Sequence, residues 1–505
     1  MVYAMNEESS YNNQVGKTKK RNILGDSVLL SVVRIVTIFA GMAQTMILAR
    51  TLTKELYGTF SQTLLVYSFI APLLSLGLDS TINYFFNKTD NQADKEKAIN
   101  AIFFLTIVTG IVGAVLMMGA KKPIARFFSN PELMPLIIYI CIRPLLTNLI
   151  ALYQPLYISL GYTKIIAIRN LLVSVFQVLF ILFVSLFIKS LVALLLVFIF
   201  LDIVQLFIFS RFLSSRYSSI NIFDFDKTLL RPILQFSLPM LFSSFLGTIS
   251  INFDKLLIGR MMSTEDFALY SNMAKELPLS FIAASITTVI TPHIIKYLHK
   301  GDKDTFKELW SDYIEVGYSV TWTLIVGLFV VSSEAITILY STKYLDSVGI
   351  VVFRLYLVVA AFRFTYFGMI PSALGKTRVI LLYTTIAIVI NVALNYPFFL
   401  MFGMIGPAIA TIISMLLSAI LYFAHSLRLV SLRLTDIFRM PNLLGLFLIY
   451  AIGVLIQTVG YRVLKTYTDN SLVLFGVVYV LFVGFVALCK SKYIVHMFRK
   501  FHNYS

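Results

Sequence analysis

Six basic residues lie within long apolar segments of this sequence. They are Arg34, Arg143, Lys255, Lys275, Arg354 and Arg363. An arginine or lysine at the centre of a membrane-spanning helix costs about 2.5–3.5 kcal/mol on an insertion scale, so these side chains must face protein or water. Guanidinium groups bind phosphate oxygens bidentately and an ammonium group supplies a point charge, so together they suit an anion such as a pyrophosphate.

Acidic residues at similar depth allow a structural interpretation, in which each basic side chain is paired or reaches an interface. The acids are Asp79, Asp202, Asp254, Glu276 and Glu315. Sequence adjacency makes Asp254 the expected partner of Lys255, and Glu276 that of Lys275. Arg34 lies deep in its segment without an acidic sequence neighbour, as does Arg363, so an anion-binding role is favoured for these two.

Arg354 and Arg363 belong to one predicted helix and are nine residues apart, which places them on opposite faces of an ideal helix. Unless that helix is broken, only one of them can face a central cavity. We favour Arg363 for this position.

A second group of polar residues could bind a cation. Asn391 and Asn395 are four residues apart and therefore share one helix face. Together with Asp254 and Thr411 they could form an oxygen-rich site for Na⁺, or supply a carboxylate that exchanges a proton. The structural alternative for the asparagines is hydrogen bonding between helices.

The segments that carry these residues are duplicated. Residues 48–62 read LARTLTKELYGTFSQ, and residues 258–272, at an offset of 210, read IGRMMSTEDFALYSN. The identical pairs are Arg50/Arg260, Glu55/Glu265 and Ser61/Ser271. A second match joins LGYTK at 160–164 to LGKTR at 374–378, at an offset of 214. Two matches at nearly one offset indicate an internal duplication.

Composition identifies the class of protein. Hydrophobic residues make up 58% of the chain and charged residues 13%, and the mean hydropathy is +0.84. Apolar runs of transmembrane length recur, which predicts an all-α polytopic membrane protein with about fourteen transmembrane helices rather than a membrane β-barrel. The second and eighth predicted spans, at 57–86 and 265–297, are long and contain prolines, so kinks are expected there.

The duplication divides the chain into domains. Spans one to six, within 23–213, and spans seven to twelve, within 232–428, should form two six-helix lobes related by a pseudo-twofold axis. Two further helices are predicted at 440–490. The remaining segments are a disordered cytoplasmic tail at 1–22, a cytoplasmic linker at 214–231 and a cytoplasmic tail at 491–505.

Most of the 42 lysine and arginine residues fall in tails and loops that are cytoplasmic if the N-terminus is inside, which predicts that both termini are cytoplasmic. The net charge of +17 is therefore attributed to topology and anionic lipids, not to nucleic acid. Both cysteines lie in predicted spans, and no nucleotide-binding glycine-lysine loop occurs. We expect no catalysis, no certain metal site and no cofactor beyond a coupling ion.

Three stretches resemble a known family. ILARTLTKELYGTFSQ at 47–62, SLGLDSTINYFF at 75–86 and NVALNYPFFLMFGMIGPAIAT at 391–411 resemble the bacterial polysaccharide-export flippases of the multidrug/oligosaccharidyl-lipid/polysaccharide (MOP) superfamily. The resemblance extends over about residues 22–490. It implies two lobes around a central cavity and alternating access, which moves an undecaprenyl-pyrophosphate-linked oligosaccharide to the outer leaflet of the cytoplasmic membrane.

The resemblance also implies roles for individual residues. A cationic cavity could be supplied here by Arg34, Lys275 and Arg363, and transport would be coupled to a cation gradient. The resemblance further implies that Asp254, Asn391, Asn395 and Thr411 lie where the related lipid II flippases have a sodium site. Because the two asparagines supply no carboxylate, Na⁺ and H⁺ both stay open as coupling ions.

Four other functions are compatible with a polytopic membrane protein, and each makes its own demand on the sequence. A MATE-type exporter of organic cations should have unpaired acids and few arginines in its deep segments. A lipid II flippase would share the head-group chemistry. A membrane glycosyltransferase or ligase would need a large outer loop, and a scaffold would have no use for deep arginines. The implied partners are the lipid-linked oligosaccharide, membrane lipids, and the polymerase and glycosyltransferases of the same pathway.

Overall fold

The computed structural model describes residues 23–89, 91–216, 220–275, 277 and 280–491, and every regular element among them is a helix. The predicted tail at 1–22 and residues 492–505 lie outside the described residues. In chain order the α-helices are α1 (Ile23–Thr51), α2 (Lys54–Ser75), α3 (Leu78–Lys88), α4 (Gln92–Phe127), α5 (Leu133–Ile140), α6 (Arg143–Ser159), α7 (Thr163–Phe183), α8 (Leu191–Arg216), α9 (Leu230–Met261), α10 (Thr264–Met273), α11 (Ser280–Lys300), α12 (Lys303–Val330), α13 (Ser332–Tyr340), α14 (Ser347–Ala361), α15 (Met369–Ala373), α16 (Thr377–Phe402), α17 (Ile405–Val430), α18 (Leu434–Ile437), α19 (Met440–Lys465) and α20 (Ser471–Cys489).

Twelve helical stretches in the described residues are long and apolar enough to cross a membrane. Large apolar side chains on these stretches are exposed, among them Leu116, Phe207 and Leu448. A soluble protein rarely exposes so much apolar surface, whereas lipid solvates it without cost. The prediction of an all-α multi-pass membrane protein is therefore confirmed, with fourteen as an approximate number of spans.

Four of the fourteen predicted spans, those at 57–86, 132–159, 265–297 and 346–373, each contain two α-helices instead of one. The span predicted at 265–297 contains α10 and α11. The span predicted at 346–373 is interrupted after α14 ends at Ala361, and α15 begins only at Met369. Broken helices at membrane depth are tolerated where they line a cavity or are covered by protein. The interruptions are therefore candidate positions for a ligand-binding site.

The second predicted span is interrupted after the proline Pro72 and not at it. Pro72 lies inside α2, and the break follows at Leu76 and Gly77, which have φ of 50° and 70°. A left-handed backbone is unfavourable for leucine and natural for glycine, so Gly77 allows the turn between α2 and α3.

The first repeated motif has the same local structure in both copies. Thr53 Oγ1 accepts a hydrogen bond from the Leu56 amide at 3.2 Å, and Ser263 Oγ accepts one from the Asp266 amide at 3.1 Å. Each hydroxyl caps the N-terminus of the helix that follows it. The conservative Thr53/Ser263 pair is thus explained by helix capping.

The second repeated motif also keeps its structure. Gly161 and Gly375 have φ of 83° and 69° directly after a helix. In each copy the next amide donates back to a carbonyl five residues earlier, from Tyr162 to Tyr157 and from Lys376 to Pro371, both at 2.8 Å. This is the Schellman ending, in which glycine takes the left-handed position. Both matches therefore reflect duplicated structure.

The chain forms two compact units. Unit 1 comprises Met1–Gln44, Ala71–Leu116 and Tyr139–Leu241, and unit 2 comprises Thr45–Ile70, Met117–Ile138 and Phe242–Ser505. The units do not coincide with the two repeats, because unit 2 includes 45–70 and 117–138 from the first repeat. The two-lobe division at 23–213 and 232–428 stays a prediction.

The two C-terminal helices belong to unit 2, where they pack against α12. Arg439, at the start of α19, forms ion pairs with Asp312 at 2.7 Å and Glu315 at 3.2 Å. Deeper along the same helix, Gln457 Nε2 donates to the carbonyl of Gly327 at 2.8 Å. Each carboxylate side chain is at most 2% exposed, so the ion pairs replace water around buried charges.

We expect Arg439→Ala to destabilise the protein by about 3 kcal/mol, because it leaves two buried carboxylates with less compensating charge. A fall of several degrees in the Tm of the detergent-solubilised protein would report this loss. Lys307→Ala is the matched control, since its 2.7 Å pair with Asp436 is partly exposed and an exposed pair contributes at most about 1 kcal/mol. Equal Tm values for the two variants would contradict the prediction.

Candidate functional site

One pocket in unit 2 contains several of the predicted site residues. Its volume is about 270 Å³. Ligand pockets that enclose drug-sized molecules measure roughly 300–1,000 Å³, so this one suits a small group rather than a whole oligosaccharide. The lining residues are Ser250, Ile251, Asp254, Lys255, Ala274, Lys275, Tyr356, Val359, Arg363 and Thr411.

Helix ends and interruptions position the basic residues of the pocket. Lys275 comes two residues after the end of α10, and Arg363 comes two residues after the end of α14. Lys255 lies within α9. Because α14 ends before Arg363, the opposite-faces argument for an unbroken helix does not apply there. The structure places Arg363 in the pocket lining, whereas Arg354 is not part of it.

Asp254 is held by tyrosine hydroxyls. Its Oδ2 atom accepts hydrogen bonds from Tyr270, at 2.9 Å, and from Tyr356. The two hydroxyl oxygens are 3.2 Å apart, and Asp254 is 5% exposed. A carboxylate that is buried in this way needs such donors, because desolvation otherwise makes the charge costly.

The expected ion pair between Asp254 and Lys255 does not occur among the described residues. Lys255 Nζ donates instead to Asn252 Oδ1 at 3.4 Å. Successive side chains on a helix point about 100° apart, so sequence neighbours diverge. The expected Lys275–Glu276 pair lies outside the described residues at Glu276, and Lys275 Nζ donates to Thr45 Oγ1 of α1.

The sequence did not identify the two tyrosines as partners of Asp254. Tyr270 lies in the second copy of the repeated motif, and the equivalent residue of the first copy is Phe60. The two copies therefore differ at this position by one hydroxyl group. That difference was the available signal: a hydroxyl that is present in only one copy and is buried needs a local partner.

The charge of the pocket is predominantly positive. Among the described residues that line it, Lys255, Lys275 and Arg363 contribute three cationic side chains and Asp254 contributes one carboxylate. Lys275 is exposed, and the other two cationic residues are half-buried. An excess of cationic groups in a confined space attracts an anion, and phosphate oxygens are acceptors for both ammonium and guanidinium donors.

The other three predicted cationic residues lie elsewhere. Arg143, in unit 1, pairs with Asp202 at 3.2 Å and lies 4.4 Å from the centre of the Phe198 ring. Arg354 Nε donates to Ser332 Oγ at 2.8 Å. Arg34, also in unit 1, is exposed. The structure therefore brings together half of the predicted cationic set, and a substrate-binding role for each of the six stays a prediction.

The predicted cation-coupling residues are only partly assembled. Asp254 and Thr411 line the pocket, whereas Asn391 and Asn395 do not. Asn391 Nδ2 donates to Thr411 Oγ1 at 3.3 Å, and Asn395 Nδ2 donates to Asn391 Oδ1 at 3.1 Å. Asn391 therefore connects α16 to α17 by hydrogen bonds, as the structural alternative predicts, and Asn395 supports Asn391 within α16.

Comparison with known proteins identifies a family to which the chain belongs. A family model described as polysaccharide biosynthesis protein matches residues 47–349, more than half of the chain. The teichuronic acid biosynthesis protein TuaB of Bacillus subtilis (strain 168) is 22% identical over 279 residues, which cover 50% of this chain. The matched region spans about half, 52%, of that relative's length.

Solved structures share the fold. The lipid II flippase MurJ, in an inward closed conformation, has a TM-score of 0.72 at 16% identity, covering 92% of this chain and all of that one. An inward-facing MATE family multidrug resistance transporter of the MOP superfamily has a TM-score of 0.64 at 14% identity, with coverages of 79% and 98%. At these identities the comparison assigns the fold alone, which is that of the MOP transporters.

Proposed function

Because the chain belongs to the polysaccharide biosynthesis protein family, we propose that it is a flippase for a polyprenyl-pyrophosphate-linked oligosaccharide. It moves this lipid from the inner to the outer leaflet of the bacterial cytoplasmic membrane by alternating access, for synthesis of a cell-surface polysaccharide. Both termini are cytoplasmic in this proposal. A polymerase and glycosyltransferases of the same pathway would consume and supply the lipid.

The predominantly positive pocket carries the proposal. A pyrophosphate linkage has negative charge on both phosphates, and the described part of the pocket lining offers three cationic side chains and one carboxylate. Its volume of about 270 Å³ matches a head group better than a glycan. The pyrophosphate would bind Lys255, Lys275 and Arg363, while the polyprenyl tail stays in lipid. The residues that bind the glycan are not part of this proposal.

We assign the coupling step to Asp254. Among the described residues it is the only carboxylate that lines the pocket, and the cationic groups that would hold the substrate line the same pocket. A proton or a sodium ion at Asp254 neutralises it, and the pocket then attracts an anion more strongly. Because Asn391 and Asn395 are engaged with Thr411 and with each other, the donor set fits a proton better than an oxygen-coordinated sodium ion.

Two other transport functions share parts of this fold. A MATE-type exporter of organic cations is disfavoured, because three cationic side chains in the pocket would repel its substrate. A lipid II flippase needs the same pyrophosphate recognition and differs only in the glycan, so it is the second candidate. The pocket does not distinguish the two lipids.

Reconstitution in proteoliposomes tests the proposal. We expect a labelled undecaprenyl-pyrophosphate oligosaccharide to change leaflets, as measured by loss of its label to a membrane-impermeant reductant. Lipid II and an organic cation serve as alternative substrates, each under a proton and a sodium gradient. Export of the cation alone, or no movement of either lipid under either gradient, would contradict the proposal.

A further inference from the structure

The duplicated arginines make reciprocal contacts within unit 2. Arg50, in the last turn of α1, donates to the carbonyls of Thr337, at 3.4 Å, and Ile338. Arg260, in the last turn of α9, donates to the carbonyls of Arg126, at 3.5 Å, and Phe127, at 3.0 Å. The accepting carbonyls lie in the last turns of α13 and α4, where helix carbonyls lack partners within the helix. We call these contacts the crossed arginine caps.

The accepting positions correspond between the repeats. Residues 337 and 338 follow residues 126 and 127 by 211 positions, nearly the offset of the motifs themselves. Each copy of the motif therefore caps a helix of the other copy. This reciprocity gives a physical reason for the Arg50/Arg260 identity.

The helices that follow the two motifs are packed closely beside these caps. A Cβ atom on Gly58 of α2 would overlap the carbonyl oxygen of Thr264 at the start of α10. The Tyr57 hydroxyl donates to Asn272 Oδ1 at 2.6 Å, and both residues are buried. Separating α2 from α10 would therefore break this buried hydrogen bond.

Lys275 connects this region to the candidate pocket. It lines the pocket, and its ammonium group donates to the hydroxyl of Thr45. Thr45 is buried in α1, five residues before Arg50. One cationic side chain thus faces the proposed head-group site and also holds the helix that carries the first arginine cap.

We propose that Lys275 couples occupancy of the pocket to release of the crossed arginine caps. A phosphate oxygen is a stronger acceptor for an ammonium group than a threonine hydroxyl is, so a bound pyrophosphate draws Lys275 away from Thr45. The end of α1 then loses one of its attachments, and the equilibrium shifts toward an arrangement with the caps open. The ligand can shift this equilibrium because it binds the two arrangements differently. The inference rests on the proposed function for the identity of the ligand.

A distance measurement tests the coupling. Spin labels are placed at Glu55→Cys and Glu265→Cys, which are exposed equivalent positions beside the caps, after Cys141→Ser and Cys489→Ser. Distances are measured in nanodiscs with and without undecaprenyl pyrophosphate. Without the lipid, Thr45→Val should raise the ratio of the population with a long distance to the population with a short distance about fivefold. This is the change in an equilibrium constant that corresponds to the net free energy of one hydrogen bond. Thr45→Ser keeps the hydroxyl and should behave as the wild type.

Two further variants separate coupling from a general loss of structure. Thr51→Val removes a hydroxyl that bonds the Ile47 carbonyl within α1, and we expect it to leave the distances unchanged. Gly58→Ala should favour long distances with or without the lipid, because of the overlap with Thr264. In combination with Thr45→Val, Lys275→Ala should add nothing, since both variants remove the same contact.

The outcomes distinguish this inference from the proposed function. Lipid binding and transport by the wild type with unchanged distances in Thr45→Val would overturn the coupling and leave the flippase intact. Additive effects of Thr45→Val and Lys275→Ala would also overturn it. Long distances in Thr45→Val, together with no binding of undecaprenyl pyrophosphate to the wild type, would support the Lys275 contact and overturn the proposed substrate.

Discussion

Replacement of Arg363 by alanine should lower the rate of translocation of a polyprenyl-pyrophosphate oligosaccharide by about ten- to a hundredfold. A hydrogen bond to a charged partner contributes about 1.5–3 kcal/mol, and Arg363 supplies the only guanidinium group among the pocket-lining residues that the structure describes. Lysine at this position would keep the charge and lose the bidentate geometry, so Arg363→Lys should have an intermediate rate. The measurement is leaflet exchange in proteoliposomes at equal protein density.

Arg354→Ala is the matched control for this prediction. Arg354 lies nine residues earlier, in α14, and bonds Ser332 outside the pocket lining. It should retain most of the wild-type rate. Equal loss of activity in both alanine variants, with both proteins folded, would be a general effect of removing a charge from this segment. That result would contradict a role of the pocket in binding the pyrophosphate.

Asp254→Asn should abolish the dependence of transport on a cation gradient. The amide keeps the size of the side chain and can still accept hydrogen bonds from Tyr270 and Tyr356, so the pocket should persist. The carboxylate that would bind the coupling ion is gone, and the pocket keeps three cationic groups without their counter-charge. We expect substrate to equilibrate between leaflets while an imposed gradient no longer drives accumulation.

The assay for Asp254→Asn compares accumulation under proton and sodium gradients applied separately. Asp266→Asn is a control. The Asp266 carboxylate lies in the first turn of α10, is partly exposed, and accepts a hydrogen bond from Ser263 Oγ. Tyr270→Phe removes one of the two hydroxyl donors to Asp254 and should weaken the response to the gradient without abolishing it. Accumulation by Asp254→Asn at the wild-type level would assign the coupling to another residue.

The sequence was sufficient to predict the elements that depend on local pattern. Long apolar runs predicted the spans, and the repeated motifs predicted equivalent loops, which share the Thr53/Ser263 caps and the Gly161/Gly375 endings. These features were predictable because hydropathy, capping and left-handed turns each depend on a few neighbouring residues.

The missed features depend on distant partners. Asp254 receives its hydrogen bonds from residues 16 and 102 positions away, so sequence adjacency suggested Lys255 instead. Arg363 enters the pocket because α14 ends two residues earlier, although the segment reads as continuously apolar. The arginine caps could not be predicted for another reason. Their acceptors are backbone carbonyls, and because every residue type has one, the sequence does not indicate which residue accepts the hydrogen bond.

The ion pairs of Arg439 have a consequence for biogenesis. Arg439 is made 124 residues after Glu315, and a ribosome that adds about 5–20 residues per second needs roughly 6–25 s for that distance. During this interval α12 carries Asp312 and Glu315 toward the bilayer before their counter-ion has been translated. We therefore expect α12 to reach its final position only after α19 has emerged and the ion pairs have formed. Truncation before α19 would remove Arg439 and leave α12 without these two ion pairs. The C-terminal helices are therefore needed to complete the packing of a helix that is synthesised earlier.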